Sequence, residues 1–465
     1  MTPAGQTLIR HVNVVDTRTG DIAPRRSVLI EDGRIRRIAA DDAAPRGGQE
    51  IDGTGRYLVP GYLDLHVHAV DEAGHNPGVW KLFLAHGVTG VRQMSGSPET
   101  LALSRGVNAG RAAGTLDAPE VLMTPGGLFL GQAFDEAGGR DFVRRQEALG
   151  TDFVKVVAGN REATLGILDE ARARGLPVAG HLVPGLTARE SSERGYRAVE
   201  HLGGGLGFLL DGSREAAQIR REYALGGARP PFPPTYVLNP RAYDGARDAP
   251  FYRRVLDTFD EALCEGVLHG FAEHDVWQVP TLIRIRTQDY GNAPEYRDDP
   301  NLKFLDPDTR ARWAGVGDDF AGVPAEAVHT LQRYYDLQRQ VTGMMMAAGV
   351  NMLAGSDLGG IWLVPGHSLH QEFRELAACG LTPLDILQMT TLRGAEFAGR
   401  QDDLGTVEEG KVADLVLLDA DPLSDAANLE KIGGLLLRGK YFSKAHLEDL
   451  KEEVAREAAT RPGAV

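Results

Sequence analysis

The chain of 465 residues has only two cysteines, Cys264 and Cys379, far apart and outside any Cys-x-x-Cys spacing. Their scarcity argues against a disulfide scaffold and against a thiolate zinc site. No run of about 18 apolar residues occurs, so no stretch reads as a membrane-spanning helix. Met1–Ile9 lacks the basic region and apolar core of a signal peptide, and the expectation is a soluble, cytoplasmic protein. Positive charge is in deficit: 50 Lys and Arg against 65 Asp and Glu give a net charge of -15, with no Lys/Arg run. A nucleic-acid partner is therefore not expected, and the acidity serves solubility. Internal repeats and low-complexity tracts are also lacking.

Apolar residues make up 42% and charged residues 25%, which are ordinary globular values. The length suits an α/β barrel of about 250 residues plus a satellite domain. Residues 7–59 read as β structure, with an Asp32-Gly33 hairpin signal and a turn at 52–55. From Pro60 onward, short apolar runs alternate with helical stretches. The runs fall at 62–68, 87–94, 118–124, 152–157, 176–181, 198–202, 276–282 and 350–357. Eight strands alternating with helices predict a parallel (β/α)8 barrel of the TIM type over 60–403. The long segments 204–275 and 284–340 read as insertions over its mouth, and Pro230 to Pro234 is too proline-rich for a regular element. Strand signals return at 405–419 and 432–439. Residues 1–59 and 404–442 are thus expected to form one small β-sandwich from both chain ends. The last stretch, 443–465, is expected to be a helix, with Leu447, Leu450 and Val454 on one stripe that suits the body or a second subunit.

The chemistry gathers at the predicted strand ends. In Pro60-Gly61-Tyr62-Leu63-Asp64-Leu65-His66-Val67-His68 a turn precedes a strand. Strand alternation puts Asp64, His66 and His68 on one face, the histidines roughly 7 Å apart, close enough to converge on one cation. Two packed core histidines would read the same way, and His181 and His201 could also be hydrogen-bonded core histidines. Lys155 is harder to dismiss, because a lysine inside Phe153-Val154-Lys155-Val156-Val157 is costly to bury unless paired or neutralised. Asp357, in Ala354-Gly355-Ser356-Asp357, would otherwise be a turn residue. All of these fall where a barrel carries its catalytic groups.

Together these stretches, with Gly405 to Val416 and with Pro365 to His370 followed by Gly380 to Pro383, resemble the amidohydrolase superfamily. The branch is the imidazolonepropionase-like one that includes metal-dependent Xaa-Pro dipeptidases. The resemblance implies a binuclear centre: His66, His68 and Asp357 on one divalent metal, His181 and His201 on the other. Lys155, carboxylated by carbon dioxide, would bridge them. Zinc is the expected metal, with manganese, iron or cobalt as alternatives. Asp357 is implied as the base that takes a proton as a metal-bridging hydroxide attacks a carbonyl. The implied reaction is hydrolysis of an amide or other C–N bond: peptide-like, N-acyl amino acid or cyclic amide. Gln93 stands where relatives commonly carry an acid, and Thr124 to Phe129 replaces the usual Gly-His pair.

Three other readings stay open at this point: hydrolysis of an ester or lactone, di-iron oxygen chemistry in the same cage, and a non-catalytic scaffold. For the substrate, Arg284 and Arg286 follow the seventh strand run on one face, where they could clamp a carboxylate, or could be surface arginines. His367 and His370 lie in the loop after Asp357 and could reach the mouth, and Tyr236 is a candidate to polarise a carbonyl. The expected partners are a small-molecule substrate and further copies of the chain.

Overall fold

The computed structural model describes residues 6–40, 48–70, 77–131, 134–225 and 233–460. Residues 1–5, residues 230–232 of the proline-rich run and residues 461–465 of the tail lie outside that set.

Both chain ends build one eight-stranded sheet. Its order is Lys440–Ser443, Ile432–Leu437, Leu415–Leu418, Tyr57–Pro60, Gln6–Val15, Ile22–Glu31 and Arg34–Ala40, with Gln49–Asp52 also pairing with Gln6–Val15. The join between the ends is antiparallel, Val416 opposite Val59 and Leu417 opposite Leu58. Ile9, Val12, Val28 and Ile30 share one buried cluster with Leu415, Leu417 and Leu436. Neither end could bury its apolar face alone. At the tip of the second hairpin Asp32 and Gly33 both take positive φ (52° and 74°), the type I′ geometry that the Asp-Gly pair favours.

The middle of the chain forms a mixed α/β body with two parallel sheets. One joins Tyr62–Val67, Val88–Gln93 and Glu120–Met123; the other joins Leu128–Gly131, Val154–Gly159, Val178–Gly180, Tyr196–Glu200 and Trp277–Val279. Helices between them start where side chains can cap free N–H groups: Ser97, Asp135, Asn160 and Thr187 each accept from the first turn.

The expected eighth strand differs from prediction. Residues 350–358 carry no continuous ladder and pair only through isolated parallel bridges, Gln278 with Met352 and Val67 with Leu358. Their backbone bonds are shared between two neighbours: Leu353 N–H donates to Gln278 O, and Asp357 N–H to His66 O. A Cβ on Gly355 would lie 2.9 Å from the Cβ of His66, so only glycine lets the segment run this close.

The C-terminal helix Lys444–Thr460 spends its stripe on the body. Leu447 and Val454 are buried, and Lys81, on the helix Pro77–Ala85, pairs with Glu453 at 2.9 Å. Among the described residues no helix is long and apolar enough to cross a membrane.

One buried acid gives the fold a pH dependence. Glu372, on helix His367–Ala378, is fully buried, accepts from Ile283 N–H at 2.7 Å and leaves Oε1 without a partner. Burial pushes its carboxyl up to about 8, against about 4.3 in an unfolded chain. The folded state therefore holds the proton more tightly. The associated stability is full below about pH 4 and is lost as pH rises towards 8, by up to about 1.4 kcal/mol per pH unit. Glu372→Gln should melt progressively higher than the wild type between pH 5 and 8, with a constant gap above that. A melting difference that does not vary with pH would count against this account.

Candidate metal centre

Strand Tyr62–Val67 is buried along its whole length, so its alternation has consequences on both faces. His66 and His68 approach one carboxylate: His66 Nε2 lies 3.2 Å and His68 Nε2 3.1 Å from Asp357 Oδ1. His201 Nε2 lies 3.6 Å from Asp357 Oδ2. His66, His201 and Asp357 offer ligand atoms that all lie within 4.8 Å of one another. The His181 ring sits 5.2 Å from that of His201, centroid to centroid. Lys155 is 2% exposed, with Glu200 and Asp357 as the nearby anions that act on its charge. The structure thus brings His66, His201 and Asp357 together, with His68 on the same carboxylate, His181 beside His201, and Lys155 within reach of the Asp357 charge. Asp64 shares the strand face but turns to Ser356, accepting from its N–H at 2.9 Å and its hydroxyl at 2.6 Å. It therefore anchors the turn that carries Asp357.

Three residues on the path have strained backbones. His201 (φ 54°), Thr281 (φ 46°) and Asp357 (φ 52°) are all left-handed without being glycine, at a cost of order 1–3 kcal/mol each. At His201 the kink matters most. A regular strand would send Glu200 and His201 to opposite faces, and the left-handed turn brings both to the centre.

The donor set fits a divalent cation. His66 Nε2 is fully buried with no hydrogen-bond partner, although an Asp357 oxygen lies 3.2 Å away. That separation is close to the edge of a tetrahedron with bonds of about 2.1 Å, roughly 3.4 Å. Burial lowers His68 and His201, and lowers His181 to about 3 with Lys155 adding to the effect. Each shift favours the neutral form that metal ligation requires. For Asp357, burial alone would raise the carboxyl, but His201 and His66 outweigh it and hold it well below the usual range. Outer partners aim the rings: His68 Nδ1 lies 2.5 Å from Ser95 Oγ, and His201 Nδ1 bonds Thr281 Oγ1.

The residues singled out for substrate lie elsewhere or are engaged. Residues 282–289 form a helix rather than continuing the strand, because the left-handed Thr281 ends it. Residues two apart on a helix diverge, so the shared face expected for Arg284 and Arg286 does not exist. Arg284 Nε reaches Asp357 Oδ2 at 3.3 Å, while its other nitrogens donate to Leu238 O and Val237 O, each at 2.6 Å. Arg286 turns away to Glu295, Tyr296 and Glu375. Tyr236 donates to Asp244 at 2.6 Å. His367 lies 3.6 Å from Asp299, and His370 is buried against Phe373 with Nε2 on His86 O. Gln93 is fully buried and holds the turn after His68, bonding the N–H groups of Ala69 and Val70 and the carbonyl of Val70.

Two residues that no sequence argument singled out lie under the centre. Glu200 and Arg92 are both fully buried and bond each other at 2.5 Å. Glu200 also lies 2.7 Å from His66 Nδ1. The signal available was the one that flagged Lys155: a charge inside an apolar strand, here Ala198-Val199-Glu200.

Residues 332–441, which include Asp357, match the Amidohydrolase family. The resemblance read from the sequence is borne out. A dihydroorotase of Trichlorobacter lovleyi is 38% identical over 64 residues, 14% of this chain. The match spans only 15% of that relative's length. Over the whole chain the likeness is one of fold. The structure of a bottromycin amidohydrolase superposes with a TM-score of 0.73 at 21% identity, covering 97% of this chain and 90% of its own. That of a Xaa-Pro dipeptidase gives 0.64 at 16% identity, covering 94% and 100%.

Proposed function

We propose that the protein is a binuclear metal-dependent hydrolase that cleaves an amide or other C–N bond. The observation that carries this reading is the orphaned His66 Nε2 beside Asp357, with the imidazoles of His68 and His201 against the same carboxylate. The amidohydrolase match and the fold shared with an amidohydrolase and a dipeptidase support the reaction class. In this reading 60–403 is a closed (β/α)8 barrel, and 1–59 with 404–442 is a β-sandwich at its side.

His66, His68 and Asp357 would hold one divalent ion, His181 and His201 a second, and a Lys155 carbamate both. When bound, two such ions supply Lewis acidity at a scissile carbonyl and lower the pKa of a water towards 7. Asp357 Oδ2, ionised and facing the centre, takes the proton of the attacking water and returns it to the leaving nitrogen. Arg284, 3.3 Å from that oxygen, holds the carboxylate in place from the side of residues 237–238.

Elemental analysis should find close to two divalent metals per chain, and a strong chelator should abolish turnover. A metal-replete sample can then be screened anaerobically against N-acyl amino acids, Xaa-Pro dipeptides, hydantoin-like rings and lactones. Less than one metal per chain, with no recovery on adding zinc or manganese, would remove the two-metal reading. Turnover that needs oxygen would remove the hydrolase.

A further inference from the structure

We infer that Glu200 is a positioning residue that fixes the tautomer and aim of His66 towards the metal, with Arg92 as its fixed counterpart. The inference rests on the reading of His66 as a metal ligand. The two oxygens of Glu200 are divided between two partners: Oε1 accepts from Arg92 at 2.5 Å, and Oε2 lies 2.7 Å from His66 Nδ1. An ionised carboxylate only accepts, so Nδ1 must carry the hydrogen. The lone pair of His66 is then on Nε2, the buried atom without a partner beside Asp357.

Arg92 is more than a counter-ion. Its Nε donates to Leu65 O at 2.7 Å, so it also ties down the backbone next to His66. Its guanidinium stacks over Phe153 (5.6 Å) and Phe397 (5.1 Å), which fixes its plane. Glu200 therefore meets two obligate donors, Arg92 N–H and His66 Nδ1–H, in a site with no room to turn. An amide there could accept from only one of them. Since Arg92 cannot give up its protons, a glutamine would put its oxygen on Arg92 and its NH2 on His66. That arrangement moves the imidazole hydrogen to Nε2 and removes the lone pair from the metal.

The alternative is that Glu200 does no more than neutralise a buried arginine. Four proteins separate the two accounts: the wild type, Glu200→Gln, and the double variants R92M/E200Q and R92M/E200L. Both doubles lack the buried charge pair, but only the glutamine can turn its oxygen to His66. Zinc affinity is measured by competition with a chromogenic chelator, and cobalt-loaded samples are compared by their visible spectra. Glu200→Gln should bind 10–100-fold more weakly than the wild type, the range typical of lost outer partners. R92M/E200Q should bind at least tenfold more tightly than R92M/E200L. Equal affinity in the two doubles, or wild-type affinity in Glu200→Gln, overturns the inference. The wild type alone gives a further check that needs no variant. Nitrogen-15 NMR of the zinc-loaded protein should show His66 protonated on Nδ1 and ligated through Nε2, and ligation through Nδ1 overturns the inference. A wild type that binds no metal defeats the metal reading itself, an outcome distinct from all of these.

Discussion

Asp357→Asn should fold, keep its secondary structure and lose at least 10²–10⁴-fold in kcat, the range attributed to general base catalysis alone. The carboxylate is 8% exposed and is met by His66, His68, His201 and Arg284 at 3.1–3.6 Å. A carboxamide fits the same space and still offers one oxygen to a cation, but it cannot accept the proton of the attacking water. Turnover should therefore fall further than metal content. The checks are circular dichroism and melting temperature for the fold, metals per chain, and kcat on whichever substrate the screen identifies. Turnover within tenfold of the wild type, with metals still bound, would mean that another group is the base.

The site was legible in the sequence wherever a rule of local geometry ran unbroken. His66 and His68 were placed together by the alternation of the strand Tyr62–Val67, which His68 directly follows. Lys155 was flagged by the cost of burying its charge among Val154 and Val156, and it is indeed buried. Where the backbone leaves its regular course, the reading failed. Thr281 turns left-handed after Pro280, which ends a strand and starts a helix, and Arg284 and Arg286 consequently part company. His201 turns left-handed as well, so Glu200 reaches the centre from a position that alternation assigns to the opposite face. Residues 351–353 bond to Gln278 and residues 354–358 to the strand Tyr62–Val67 and to His68, a switch that has no signature in periodicity. The joint sheet of the two chain ends was legible in kind, because both ends are β-rich and neither is long enough to bury its own face.

Lys155→Ala should lose most activity and at least one metal. A lysine in this position is unsuited to its surroundings in its ordinary state, because an ammonium repels divalent cations placed beside it. Burial lowers its pKa to about 8, even though Glu200 and Asp357 act to raise it. An appreciable neutral fraction therefore exists near pH 8. That amine can add carbon dioxide, forming an N–C bond and releasing one proton, and the product is an anionic oxygen donor in place of a cation. Reconstitution with zinc should accordingly be faster with bicarbonate present, and a carbon-13 label should appear in a carbamate resonance. Alanine removes the nitrogen and leaves a space on the strand face turned to Glu200, Asp357 and His181. A short carboxylate such as acetate or propionate at high concentration should enter it, supply the missing oxygens and restore part of the metal content and rate. Larger carboxylates should not, since the site is almost closed to solvent. Full activity with two metals in Lys155→Ala, and no additive, would contradict the assignment. So would an unmodified ammonium observed beside two bound metals in the wild type, because Glu200, already paired with Arg92, and Asp357 are too few to offset three cations in one buried site.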